Sequence, residues 1–377
     1  MEKNPATELE SSRKRIDKID SGIIELLAER QVEVEKVLEY KKANALAVRH
    51  PAREEDMISR HRSHAEGKGL SPDYIEELFR TILRKSRVEQ TGSKSEKGIL
   101  PGAPVLIAGG AGGMGSYFAG WFNKSGYETR ILEKNDWDRV ELLCSGIDLA
   151  LVSVPINDTA AVIERLAPFL PENAVLADLT SIKTSPLKAM MQFHSGPVLG
   201  IHPLFGPTTS TMDKQIIVTT PGRNPEACTW IIRQLSDWGA IIVESDEKEH
   251  DTIMSIVQAL RHFAAFTFGR FLYKNNVDLF RSLEFSSPIY RLELGMVGRL
   301  FAQDPALYSG IIFATPERRA ILRDFILSMN ETMDTVNSGD KEAFEKEFNE
   351  ISKWFGPFSE QAMRESTFLI EKLIERF

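Results

Sequence analysis

Val105-Leu106-Ile107-Ala108-Gly109-Gly110-Ala111-Gly112-Gly113-Met114-Gly115 is the stretch that decides the fold of the central part of the chain. The apolar run at its start, stopped by glycine, reads as a short buried strand. Gly110 to Gly115 match G-x-G-x-x-G and open the helical segment SYFAGWFNKSG. ETRILE follows as a second strand, and Glu133 ends it at the spacing expected of a ribose-binding acid. Gly110, Gly112, Gly113 and Gly115, with Met114 among them, allow a tight turn and let a pyrophosphate approach the helix N-terminus closely. The pattern predicts dinucleotide binding. The acid at Glu133 favours NAD over NADP, although Arg130 and Lys134 lie beside it.

Outward from this loop, DLALVSVPI, AVLADL and PVLGI read as further strands with helices between them. Such alternation predicts a doubly wound parallel sheet over residues 105–244. Sites in these sheets lie at the carboxyl ends of strands. His202 sits there, within Gly200-Ile201-His202-Pro203-Leu204-Phe205-Gly206-Pro207, and an imidazole with an ordinary pKa of about 6.5 suits a general base. It is a better candidate than His61, His64 or His194. The run Asp178 to Lys183 also ends a strand; it supplies polar groups to the same crevice, or caps a helix.

Beyond about residue 245 the strands stop. Ser287-Pro288, Asp304-Pro305 and Thr315-Pro316 are helix starts, so residues 245–377 read as a helical domain. Arg291 and Arg299 are embedded in the apolar run IYRLELGMVGRLFAQDP, where Gly295 and Gly298 permit close approach of a backbone or ligand. An arginine there holds a carboxylate in a two-pronged bond, or forms a salt bridge, as with Glu293 beside Arg291. His262 faces the crevice or is a satisfied helix-core histidine.

Before the sheet, residues 1–92 read as three helices, followed by a small, polar linker at 93–104. Ile16, Ile19, Ile23, Leu26, Leu27, Val34 and Val37 form one stripe of the first helix. Arg13, Arg30 and Lys41 fall on that stripe. Buried cations need anionic partners, so three of them suit a small polycarboxylate unless their stems pack and their heads reach water. His50-Pro51 and Ser71-Pro72 open the second and third helices. The third carries Ile75, Leu78, Phe79, Ile82 and Leu83, then the polar Ser86 and Gln90, read as frayed helix end or ligand contact.

The 377 residues suggest two or three domains with ample core. A net charge of -8 argues against nucleic-acid binding. Two cysteines without metal-ligand spacing argue for a reducing compartment. No apolar run forms a signal peptide or a membrane span, so the expected location is the cytoplasm, with no membrane partner.

Taken together, these residues resemble two enzyme families. Arg13 to Asp20, Arg30, Lys41 and Pro51-Ala52-Arg53-Glu54-Glu55 are similar to the all-helical chorismate mutases. VSVPI, DLTSIK, LGIHPLFGP, ALRHF and SSPIYRLELGMVGRLFAQDP resemble prephenate dehydrogenases. Their order and length match bifunctional enzymes of bacterial tyrosine biosynthesis. The resemblance implies that Arg13, Arg30, Lys41, Arg53, Glu54, Ser86 and Gln90 hold chorismate, with Lys41 and Gln90 at the ether oxygen and Arg13 serving the other subunit's site. It implies His202 as the dehydrogenase base and Arg299 on the prephenate ring carboxylate. Ser181, Lys183 and Arg291 then lie near the substrate, Val154 and Pro155 near NAD, and His262 at a position linked to tyrosine inhibition. A homodimer is expected. His50 stands where many mutases carry an acid. Arogenate as substrate, a non-catalytic N-terminal module and a generic hydroxyacid dehydrogenase are the competing readings.

Overall fold

The computed structural model describes residues 5–44, 50–94 and 97–374. Three helices open the chain: α1 (Pro5–Ala43), α2 (Pro51–Glu66) and α3 (Pro72–Lys94). The sheet region follows as β1 (Pro104–Ala108), α4 (Gly113–Lys124), β2 (Glu128–Leu132), α5 (Val140–Cys144), β3 (Leu149–Val152), α6 (Ile156–Leu166), β4 (Val175–Asp178), α7 (Thr184–Phe193) and β5 (Val198–Pro203). It closes with β6 (Ile216–Pro221), α8 (Thr229–Asp237) and β7 (Ile241–Glu244). Helices α9 (Glu247–Met254), α10 (Arg261–Lys274), α11 (Leu279–Glu284), α12 (Pro288–Phe301), α13 (Pro305–Phe313), α14 (Pro316–Ser338), α15 (Lys341–Phe355) and α16 (Pro357–Ile374) complete the chain. Contacts divide it into two units. The first holds residues 1–153, 164–179 and 190–244, the second residues 154–163, 180–189 and 245–377.

In the first unit, α1 is about 58 Å long at 1.5 Å per residue. Its stripe finds little cover: Ile16, Ile19 and Ile23 are all about half exposed, and among the described side chains of α1 only Leu38, beside the stripe, is buried. His50 caps α2, its Nδ1 accepting from the Arg53 amide at 3.3 Å. That gives the imidazole a structural task at the position where the mutase pattern departs. Helices α2 and α3 form a hairpin, with His61 stacked on Phe79 at 3.9 Å. Arg80 bridges Glu55 and Glu76 across the outside. Helix α3 runs to Lys94, so Ser86 and Gln90 lie inside it and not at a frayed end.

The segment after α3 is pinned to the sheet domain. Gly98 donates to the Ser125 carbonyl at 2.7 Å and Ile99 to Gln234 Oε1 at 2.8 Å. Tyr127 donates its hydroxyl to the same Gln234 oxygen at 2.6 Å. A Cβ on Gly98 would sit 2.4 Å from the Tyr127 ring, so only glycine fits.

Seven strands form one sheet in the order β2-β1-β3-β4-β5-β6-β7. Strands β1 to β5 are parallel, as the strand–helix alternation predicts. The all-parallel expectation fails at the edge: β6 is antiparallel to β5, and β7 runs with β6. The reason is the connection. Residues 204–215 carry no crossover helix, and a strand reached without one returns beside its predecessor in the opposite sense. Of the parallel strands, β1, β3, β4 and β5 are buried almost throughout while the edge strand β2 is not, and Phe118 and Phe122 of α4 pack with Tyr127 and Trp238 beneath them. Cys144 and Cys228 are free and buried in this unit, and burial pushes both thiols up to about 11.

In the second unit, Ser287, Asp304 and Thr315 cap α12, α13 and α14 through their side chains, as the Ser/Asp/Thr-Pro pattern predicts. A π-helical turn at Ser255–Leu260 joins α9 to α10. Gly295 and Gly298 have open space where a Cβ would stand, with nothing else among the described residues within 4 Å. Phe280, Phe285 and Trp354 are largely exposed. Among the described residues no helix is long and apolar enough to cross a membrane.

Candidate active sites

Helices α1 and α3 bring two of the expected chorismate contacts together. Arg30 donates through Nη1 to Ser86 Oγ at 2.8 Å, and Ser86 in turn donates to the Ile82 carbonyl at 3.0 Å. Partial burial lowers the Arg30 pKa. Glu54, at the start of α2, is tied to α3 by Arg87, whose Nη1 donates to Glu54 Oε2 at 3.0 Å. Lys41 and Gln90 are half-buried, while Arg53 is exposed. Arg13 is exposed too, and it stands 17 residues from Arg30 on one continuous helix. That is about 25 Å, too far to share a small ligand with Arg30 in the same chain. The three-cation stripe is therefore not one site within one protomer.

The glycine loop has the shape a dinucleotide needs. A Cβ at Gly110 would sit 2.4 Å from the Ile131 side chain, and one at Gly115 would sit 2.2 Å from the Gly109 carbonyl. Gly113 lies under Pro207. Gly112 begins α4 with no side-chain cap, which leaves the first-turn amides to a ligand. Glu133 accepts from the Ala111 amide at 2.7 Å, placing the acid beside the loop. Arg130 is turned away: it pairs with Glu128 at 2.8 Å and donates to the Leu143 and Ser145 carbonyls. An occupied Arg130 removes one of the two cations that would welcome a 2′-phosphate. The residues fit NAD.

His202 lies in β5, 3 % exposed, opposite Val218 of β6. His194 donates through Nε2 to the Ala174 carbonyl at 2.8 Å, a structural role. The glycine loop, Glu133 and His202 all belong to the first unit.

The second unit holds Val154, Pro155, Ser181, Lys183, His262, Arg291 and Arg299. Pro155 leads into α6, and its carbonyl accepts from Thr159 at 3.1 Å. The 181–184 segment is gripped from two sides. Arg318, fully buried, donates through Nη2 to the Ser181 carbonyl at 2.9 Å and through Nη1 to the Ile311 carbonyl at 2.7 Å. Asp251 accepts from the Lys183 amide at 2.7 Å, the Thr184 amide at 3.0 Å and His250 Nδ1 at 2.8 Å. Burial pushes the Asp251 carboxyl up, but these hydrogen bonds outweigh it and hold it down at about 2. The Ser181 hydroxyl is buried without a partner among the described residues, and the Lys183 side chain is fully buried.

His262 packs edge-on against Tyr308 at 4.8 Å. Burial first, then the cations Arg261 and Arg318, lower it to about 4, so it is neutral at physiological pH. Arg291 donates to the Leu283 carbonyl at 3.1 Å. Arg299 is exposed on α12. Asp251, His250 and Arg318 were not singled out in the sequence. His250 and Asp251 are neighbours in α9 and Arg318 lies in α14, and no motif spacing marks any of them.

Three family regions cover most of the chain. Chorismate mutase type II matches residues 12–91, the nucleotide-binding domain of prephenate dehydrogenase residues 124–244, and the dimerization domain of prephenate dehydrogenase residues 246–350. A T-protein of Enterobacter agglomerans is 42 % identical over 364 residues, covering 96 % of this chain and 97 % of that one. A T-protein of Haemophilus influenzae is 40 % identical and covers 97 % of each. Prephenate dehydrogenase from Aquifex aeolicus, solved with hydroxyphenyl propionate and NAD+, superposes with a TM-score of 0.55 at 20 % identity, over 67 % of this chain and 97 % of that one. That likeness speaks for the dehydrogenase fold. Helical mutase region, NAD-binding sheet and helical C-terminal region stand in one polypeptide, and the chain belongs to the T-protein family.

Proposed function

We propose that this chain converts chorismate to prephenate in its first helices and prephenate to 4-hydroxyphenylpyruvate in the remainder. The observation that carries this reading is the pairing, in one chain, of the Arg30–Ser86 contact between α1 and α3 with the glycine loop and Glu133. The modules run 1–92, 105–244 and 245–377, with 93–104 as the join.

The first reaction is pericyclic and needs neither nucleophile nor proton transfer. What the protein supplies is orientation and preset charge. Arg30, and Arg13 from the other subunit, hold the carboxylates. Lys41 and Gln90 donate to the ether oxygen as charge builds there, and Arg53, Glu54 and Ser86 complete the pocket.

In the second reaction the glycine loop and Glu133 would hold NAD, which would supply an acceptor for the hydride of ring C4. His202 accepts the proton of the 4-hydroxyl, the electron pair of the C1–carboxylate bond enters the ring as carbon dioxide leaves, and the proton returns from His202 to the phenolate oxygen. Arg299 holds the ring carboxylate. Ser181, with its unpartnered buried hydroxyl, and Lys183 orient the substrate, supported by Arg291. Val154 and Pro155 line the NAD site with the glycine loop. The enzyme works as a cytoplasmic homodimer and is inhibited by tyrosine through the region of His262.

Purified protein given chorismate and NAD should produce NADH and 4-hydroxyphenylpyruvate together. Arg30→Ala should stop this from chorismate but not from prephenate. His202→Asn should accumulate prephenate, with dehydrogenase kcat down about a thousandfold and KM little changed. NADH forming from chorismate at the normal rate in Arg30→Ala would overturn the mutase assignment. Arogenate outcompeting prephenate would overturn the substrate.

A further inference from the structure

The mutase and sheet regions of the first unit meet at one buried arginine. Arg87 follows Ser86 on α3 and is 7 % exposed. Its Nη1 donates to Glu54 Oε2 at 3.0 Å, while its Nε lies 3.2 and 3.3 Å from the two oxygens of Asp213. Asp213 belongs to the 204–215 connection that follows His202, and it is itself held. Its amide donates to Thr211 Oγ1 at 3.1 Å, and the next amide, of Lys214, donates to the Gly239 carbonyl at 3.0 Å. Gly239 has φ +100, and a Cβ there would stand 3.1 Å from the Asp213 Cα and 3.4 Å from the Thr91 methyl. Thr91, one turn beyond Arg87, is 2 % exposed. Lys214 also acts on Glu55, next to Glu54.

We propose that Arg87 is a positioning residue of the mutase site and that the dehydrogenase region sets it through Asp213. A guanidinium is a rigid fork. With one edge fixed by Asp213, the other points in one direction only, and that direction holds the Glu54 carboxylate at the mouth of α2. The three charges are largely withdrawn from water, so removing one leaves another poorly compensated. The inference rests on the reading that Glu54 serves chorismate.

The test uses the full chain and its two activities as mutual controls. Asp213→Asn should lower mutase kcat/KM about tenfold, and Arg87→Met about a hundredfold, as expected for hydrogen bonds between charged groups. Dehydrogenase kcat/KM with prephenate should stay within about twofold in both, a difference too small to register as a lost interaction. Asp213 acts through Arg87, so the double variant should match Arg87→Met alone instead of adding the two losses. Asp213→Glu should restore mutase turnover. Unchanged mutase activity in Asp213→Asn, additive losses, or a parallel fall of both activities would each overturn the proposal. Full mutase turnover in Glu54→Gln would overturn it too, and would place the error in the role given to Glu54 and not in the Arg87 linkage.

Discussion

Phe122 on α4 and Ile23 on α1 are both large apolar side chains on a helical stripe, yet Phe122 is 1 % exposed and Ile23 50 %. The two helices answer the same sequence rule differently. Periodicity says which face of a helix seeks cover, not what covers it. Helix α4 finds the sheet of its own chain, with Trp238 and Tyr127 against Phe122. Helix α1 is too long for α2 and α3 to sheathe, and among the described residues its stripe stays largely exposed.

The contrast is broken or sharpened most strongly in the sheet core. Phe122→Ala should cost about 3–5 kcal/mol, lowering the denaturant midpoint and taking both activities with it. A loss confined to the mutase would show that α4 is not the shared foundation. The matching change on α1, Ile19→Ser with Ile23→Ser, should leave that midpoint alone. It should instead weaken self-association by about 3 kcal/mol, roughly a hundredfold in Kd, so that mutase activity falls on dilution while the dehydrogenase persists. Sedimentation against concentration reads this directly, and a monomeric parent protein would sink it.

Smaller effects separate the sites themselves. Glu133→Gln should raise the KM for NAD about tenfold, narrow the preference over NADP, and leave the mutase untouched. The smallest effect is in acid. His262 is held at about 4, below its ordinary 6.5, so the unfolded chain takes up that proton first. Its share of stability is present above about 6.5 and is lost as pH falls toward 4. Asp251, held at about 2 against an ordinary 3.8, adds stability that disappears only below that range. Acid unfolding of His262→Gln should lose the upper limb and keep the lower. A profile identical to the parent would show that His262 does not titrate with folding.

Much of this was legible in the residues. The glycine loop, Glu133 and the three proline-led helix starts are local devices, each dictated by a few adjacent side chains, and all stand where the spacing puts them. The reversal of β6 was hidden because sense is set by the connection, and residues 204–215 carry no periodic signal. Arg87, Asp251 and Arg318 were hidden for another reason: each is a single polar residue whose meaning comes from atoms far away in sequence, Asp213, the Lys183 amide and the Ser181 carbonyl. The α1 stripe was legible as a face, but its partner was not.

The seam at Gly98 gives the chain a mechanical character. A leash between two enzymes can be lengthened or shortened at little cost. A residue wedged against Tyr127, with its neighbour bonded to Gln234, is instead a weld, and it fixes the lever arm from the sheet to whatever precedes it. Insertions that natural variation tolerates in ordinary linkers should be rejected between Gly98 and Ala103, and engineered fusions that swap the mutase for another domain should cut before this seam and leave it intact.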